Sequence, residues 1–230
     1  MTTIPSPENR SGTTRRTFLH SSGAVVTAGL SAAPILSVDT GRARGDEELG
    51  VALIGCGGRG TGAADQALST SGSVKLLAMA DAFSDRLEGA LKTIGMNHPE
   101  RIDVPEDRRF IGFDAYKHAI ETPGVDVVIL TTPPGFRPIH FEHAISNDKH
   151  VFMEKPVAVD GAGIRQVLAA AELAKRKNLK VGVGLQRHHD PKYIETVARI
   201  RAGELGDPIL YRCYWNSGGV WVRARKEGPP

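Results

Sequence analysis

A chain of 230 residues is long enough for one full α/β domain and part of another. Its hydrophobic share of 40% and charged share of 24% are ordinary for a globular protein and exclude a fibre or an extended disordered chain. The formal charge of +3 is confined to residues 1–45, where Arg10, Arg15, Arg16, Arg42 and Arg44 face only Glu8 and Asp39. The remainder is neutral and has no basic stripe, so nucleic acid is not an expected partner.

The N-terminus reads as an address rather than as part of a domain. Thr14-Arg15-Arg16-Thr17-Phe18-Leu19 precedes an apolar, small-residue-rich stretch from Gly23 to Leu36 that Pro34 interrupts. This order of polar lead, paired arginines and modest apolar core is that of a twin-arginine export signal. The stretch falls short of the roughly 20 residues that a spanning helix needs. Thr40-Gly41-Arg42-Ala43 offers a cleavage point before the Asp46-Glu47-Glu48 run, and an uncleaved tether is the alternative. The expected location is therefore periplasmic or membrane-tethered, with the twin-arginine export machinery as a partner.

From residue 49 the pattern becomes strand, glycine loop, helix. Val51-Ala52-Leu53-Ile54 is an apolar run suited to a parallel strand buried on both faces. Gly55-Cys56-Gly57-Gly58-Arg59-Gly60 follows directly and fits GxGxxG. Gly55 permits the tight turn, Gly57 lets a pyrophosphate approach the backbone, and Gly60 lets helix and strand pack closely. Free N–H groups at the start of the following helix would hold the phosphates, with Gly58 and Arg59 beside them.

The second strand, residues 74–80, ends in Asp81, about 20 residues past the last glycine, where a carboxylate binds the adenosine ribose hydroxyls. That charge repels a 2′-phosphate, so NAD is favoured over NADP. Arg86 stands close enough in sequence to accommodate such a phosphate or to pair with Asp81.

Alternation continues to residue 183. Helices are expected at 86–94, 115–121, 139–146 and 163–177, and strands at 110–113, 125–130, 150–153 and 180–183, with a polar loop at 97–107. This order predicts an α/β doubly wound parallel sheet, a Rossmann fold. Cys56 and Cys213 are the only cysteines. A disulfide is possible on count alone, but two small buried thiols is the better reading, and no spacing suggests zinc. The adjacent His188-His189 pair points its side chains opposite ways in an extended chain, so no metal is expected.

Three further segments stand at C-terminal strand ends, where open α/β sheets bind ligands: Thr131-Thr132-Pro133-Pro134, Glu154-Lys155-Pro156 and Gly184-Leu185-Gln186-Arg187. With the glycine loop and Asp81 they resemble the glucose–fructose oxidoreductase/inositol dehydrogenase (Gfo/Idh/MocA) family over residues 49–217. Glu-Lys-Pro is the most specific element. The export signal, Gly58-Arg59-Gly60, Gln186-Arg187 and Tyr214-Trp215-Asn216 look like its exported bacterial branch.

The resemblance implies an NAD-dependent oxidoreductase acting on a sugar or cyclitol. It assigns Lys155 to the nicotinamide and the reacting hydroxyl, with Glu154 beside the cofactor. A lysine desolvated next to a cationic ring can remove the hydroxyl proton as hydride leaves. Thr132 and Pro133 would pass along the dinucleotide. Arg187 and Gln186 are candidates for polar substrate groups, and His140 is either a contact or a helix-start histidine.

The family continues into an α+β second domain that supplies an aspartate and a histidine. Residues 193–201 read as its crossing helix and 209–215 as its first strand, after which the sequence stops short of that pair. The expected organisation is thus a signal and linker at 1–45, a dinucleotide-binding domain at 46–187, and the start of a truncated second domain at 188–230. Such a chain is either a fragment or naturally shortened, and a homo-oligomer is expected only of a full-length form. An NAD-dependent glycosidase of the same fold and a non-catalytic dinucleotide-binding remnant are the alternatives.

Overall fold

The structure is a computed structural model and describes residues 48–218. The expected export signal and its cleavage point lie outside the described residues.

Six parallel strands form one sheet: β1 Leu49–Ile54, β2 Val74–Asp81, β3 Arg109–Ile111, β4 Val125–Leu130, β5 His150–Met153 and β6 Val181–Val183. Their order is β3-β2-β1-β4-β5-β6, so the chain winds outward from β1 to one edge and then to the other. Reversal of direction beside β1 opens a crevice between the C-terminal ends of β1 and β4.

Two cores follow from the period of two along each strand. On one face Val51 and Leu53 pack with Ala63, Ala64 and Leu68 of α1 (Gly58–Leu68) and with Leu87, Ala90 and Ile94 of α2 (Ser84–Asn97). On the other, Ala52 and Ile54 pack against three helices. Tyr116 and Ile120 come from α3 (Ala115–Glu121), Phe141 and Ile145 from α4 (Arg137–Ser146), and Val167, Ala170 and Ala174 from α5 (Gly161–Arg176). The doubly wound Rossmann sheet expected from the alternating pattern is the observed fold.

Capping residues explain where the later helices begin. Asp160 accepts the Gly163 N–H at 2.7 Å and starts α5 two residues earlier than expected. Asp190 does the same for α6 (Pro191–Arg201), accepting the Lys192 N–H at 3.0 Å with Pro191 in the first turn. Helix α4 begins at Arg137 rather than at residue 139, because Pro138 suits a first turn.

Four expectations are corrected. The strand expected at 110–113 spans Arg109–Ile111, since Gly112 has φ +116° and leaves the β region. The loop at 97–107 contains short 3₁₀ turns at Pro99–Arg101 and Glu106–Arg108, and Ile102 bridges Leu76. Residues 209–215 form no strand. Ile209 is 99% exposed, no described strand lies alongside to take its backbone hydrogen bonds, and a strand without a partner is not stable in water. Cys213 lies in this segment and is exposed, against the expectation of two buried thiols, whereas Cys56 is buried and both are free.

Candidate dinucleotide and substrate cleft

A cleft of about 1150 Å³ runs along the C-terminal strand ends. Its floor is the glycine loop. The close packing of this loop shows which glycines are structural. Gly55 has φ +96°, and a Cβ on Gly60 would sit 1.8 Å from the Gly55 carbonyl oxygen. Gly57 and Gly58 differ, for a Cβ on either would meet nothing within 4 Å. Their backbone faces open space at the start of α1, where N–H groups and the positive end of the helix dipole favour phosphate.

Neighbouring strands brace the loop. Thr131, at the end of β4, donates its hydroxyl to the carbonyl oxygens of Ile54 at 3.0 Å and Gly55 at 2.6 Å. Asp81 accepts the Cys56 N–H through Oδ2 at 2.6 Å and the Phe83 N–H through Oδ1 at 3.0 Å. Its carboxylate therefore stands beside the glycine loop, and Arg86 lines the same cleft. Burial, reinforced by the Asp81 charge, pushes the Cys56 thiol pKa well up, so this cysteine is an inert packing residue.

The opposite end carries the Glu-Lys-Pro element. Glu154 is buried and paired with Arg59, whose Nε and Nη2 lie 2.7 and 2.6 Å from Oε1. Lys155 is exposed on the cleft rim, and the Lys155–Pro156 peptide bond is cis. Gly184 makes room for the acid, since a Cβ there would lie 2.5 Å from Glu154 Oε1.

Most of the expected site residues meet in this one cleft: Gly55, Gly57, Arg59, Asp81, Arg86, Thr132, Pro133, Glu154, Lys155 and Gln186 line it. Gly58 and Gly60 belong to the first turn of α1 behind the loop. Arg187 does not line it. Its Nη1 donates to the Tyr193 hydroxyl at 2.8 Å, and its guanidinium lies over the Tyr193 and Trp215 rings at 5.0 and 5.2 Å.

Sequence reasoning missed Arg137. This side chain is 2% exposed and donates Nη1 to the Pro156 carbonyl and Nη2 to the Thr132 carbonyl. It thereby ties the turn after β4 to the Glu-Lys-Pro segment. Burial lowers its pKa, opposed by the nearby Glu154 charge. The available signal was Pro138, which places Arg137 in a first turn facing the strand ends. His140 proves to be a buried cleft residue, with Nδ1 3.1 Å from Thr132 Oγ1 and its ring 4.1 Å from that of Tyr116. Burial, helped by the Arg137 and His143 charges, drops its pKa to about 4, so it is neutral at neutral pH.

These features fit a dinucleotide: an open phosphate-binding backbone, a carboxylate at the end of β2, and a cleft continuous from Asp81 to Lys155. Comparison with known proteins agrees. Residues 49–185 match the model of the Gfo/Idh/MocA group, described as an oxidoreductase family with an NAD-binding Rossmann fold. The chain is 28% identical over 175 residues to scyllo-inositol 2-dehydrogenase (NAD(+)) of Bacillus subtilis, covering 76% of this chain and 46% of that protein. It is 31% identical over 179 residues to inositol 2-dehydrogenase of Rubrobacter xylanophilus, covering 77% and 47%. The chain thus spans about half the length of the curated relatives it matches. Among solved structures, myo-inositol 2-dehydrogenase from Lactobacillus plantarum superposes with a TM-score of 0.57 at 24% identity, covering 70% of this chain and 43% of that one. Scyllo-inositol dehydrogenase from Lactobacillus casei with bound NAD(H) and scyllo-inositol gives 0.56 at 23% identity, over 70% and 43%. Open glycine loop, strand-end carboxylate and matched family model all converge on one conclusion: the chain belongs to the Gfo/Idh/MocA oxidoreductases, with an NAD-binding Rossmann fold.

Proposed function

We propose that residues 46–187 form the dinucleotide-binding domain of an NAD-dependent dehydrogenase that oxidises a secondary alcohol of a cyclitol or sugar. The observation that carries this reading is the continuity of one cleft from the Asp81 carboxylate, past the open backbone of Gly57, to Lys155. Similarity to inositol dehydrogenases supports the substrate class.

Bound NAD would supply the hydride acceptor. Asp81 would accept hydrogen bonds from the adenosine ribose hydroxyls, and the backbone of Gly57 and Gly58 would face the pyrophosphate. Lys155, as the free amine, would take the hydroxyl proton while the carbinol C–H bond gives up its electron pair, leaving a ketone. Thr132 and Pro133 would border the cofactor, and Gln186 would offer its amide to substrate hydroxyls. Arg187 would reach substrate only by leaving Tyr193 and Trp215. Titration of the protein with NAD, followed by assay of inositols and sugars for NADH formation with the intact protein, tests the reading. Tight NAD binding is expected of this chain, and cyclitol-dependent NADH formation of a full-length form that carries the second domain; absence of NAD binding would overturn the reading.

We further propose that the protein is exported by the twin-arginine route, on the strength of Arg15-Arg16 and the apolar stretch that follows. Among the described residues no helix is long and apolar enough to cross a membrane. Changing Arg15 and Arg16 together to lysine should hold the protein in the cytoplasm. Undiminished export of that variant would refute the assignment.

A further inference from the structure

Three phenylalanines leave consecutive strand ends around the Asp81 end of the cleft. Phe83 follows β2, Phe113 follows β3 and Phe136 follows β4, and all three line the cleft. They are 64%, 75% and 41% exposed. Large aromatic surface left open in a cluster at a cleft marks a place where something binds.

Phe113 and Phe136 are the outer part of a braced series. Phe113 and Phe136 have centroids 6.1 Å apart, and Phe136 stacks on His140 at 6.2 Å with only 16° between planes. His140 lies 4.1 Å from the buried Tyr116 ring, and its bond to Thr132 fixes its orientation. Neutral His140 adds no charge to the series. Outer rings seated on fixed inner ones form a surface that needs little reorganisation to accept another flat ring.

The position relative to Asp81 selects the occupant. Asp81 is paired in register with Ile111, its carbonyl accepts the Gly112 N–H at 3.0 Å, and its carboxylate holds the Phe83 N–H. Phe83 and Phe113 therefore spring from backbone bonded to the residue assigned to the adenosine ribose. The base attached to that ribose must lie within a few ångströms of it.

We propose that Phe113 and Phe136 form an aromatic platform on which the adenine ring of the dinucleotide stacks, with Phe83 lining the same cleft. The inference rests on the dinucleotide reading of the cleft and adds to it how the base is held. Stacking on an aromatic ring tolerates exchange of one base for another, unlike recognition through base-edge hydrogen bonds.

Isothermal titration of the full chain with NAD, ADP-ribose and nicotinamide mononucleotide separates the two ideas. Phe113→Ala should weaken NAD and ADP-ribose about tenfold, the scale of one base–aromatic stack, and leave the mononucleotide unchanged. Phe113→Trp should restore binding. Because Phe113 is mostly exposed, folding of the variant is not at issue, and a thermal melt verifies it. Should Phe113→Ala and Phe136→Ala both bind ADP-ribose as the parent does, the platform is wrong and the dinucleotide reading stands. Should the parent bind neither NAD nor ADP-ribose, both fall together.

Discussion

Arg59 and Glu154 join the first turn of α1 to the segment after β5 through two contacts to a single carboxylate oxygen, at 2.7 and 2.6 Å. The acid is 9% exposed at its side chain and the guanidinium 49%, so the pair spans from the domain interior to the cleft surface. Removal of the half-exposed partner leaves a buried carboxylate short of a donor, which costs more than the intact pair contributes. Arg59→Ala should therefore destabilise the domain by about 1–3 kcal/mol. Glu154→Gln keeps the shape and an acceptor, and should cost less. Chemical denaturation of the two variants checks the order; equal, unchanged midpoints would show that the pair is an incidental surface contact.

Asp81 has two duties that substitution can separate. Its charge is assigned to cofactor choice, while its oxygens accept the Cys56 and Phe83 N–H groups. Asp81→Asn keeps an acceptor and loses the charge, so it should narrow a preference for NAD over NADP about tenfold, within the 1–3 kcal/mol of a charged hydrogen bond. Asp81→Ala should narrow it as well and also loosen the glycine loop, lowering affinity for both cofactors. The ratio of the two dissociation constants in each variant is the measurement. Tighter NADP binding by the parent would contradict the assignment and point to Arg86.

The strand and helix order was legible because its signals are local. Buried parallel strands read as apolar runs, and glycine, proline and aspartate punctuate them. The cleft was legible for the same reason, since its elements lie at strand ends. Arg137 was not, because its role depends on two carbonyls, at Thr132 and Pro156, that only the folded chain brings within reach. Gly184 reads as a loop glycine until Glu154 is seen packed against it. Residues 209–215 have the composition of a strand, but no described strand lies alongside them, and composition by itself does not supply a pairing partner.

His140 gives the domain an acid-sensitive element. Its pKa falls from 6.5 to about 4 on folding because burial disfavours the imidazolium. Between these values the unfolded chain binds more protons than the folded one, so stability rises with pH across that window. The contribution is complete above about pH 6.5 and is lost progressively as pH falls towards 4. His140→Phe should flatten this part of the stability profile at some cost in packing against Thr132. Urea midpoints at intervals from pH 4 to 8 test it; an equally steep profile in the variant would show that other groups govern the acid limb.

Arg137 supports the sharpest expectation about site architecture. Its two terminal nitrogens serve carbonyls on separate segments, the turn carrying Thr132 and the Glu-Lys-Pro element carrying Lys155. A lysine has one ammonium on a flexible stem and cannot reproduce the fork. Arg137→Lys should keep the charge yet release one of the two carbonyls, and Arg137→Met should release both. Each unsatisfied buried acceptor costs about 1–3 kcal/mol, so the methionine variant should lose roughly twice what the lysine variant loses. Amide hydrogen exchange distinguishes this clamp from general packing. Exchange should speed up at both the residues after β4 and those after Pro156, with the strands of the sheet unaffected. Loss of the Arg137 charge should also raise the His140 pKa, because that charge is among the causes of its depression. If both variants melt as the parent does and exchange at the two segments is unchanged, the buried guanidinium is not what holds Lys155 in register with the turn after β4.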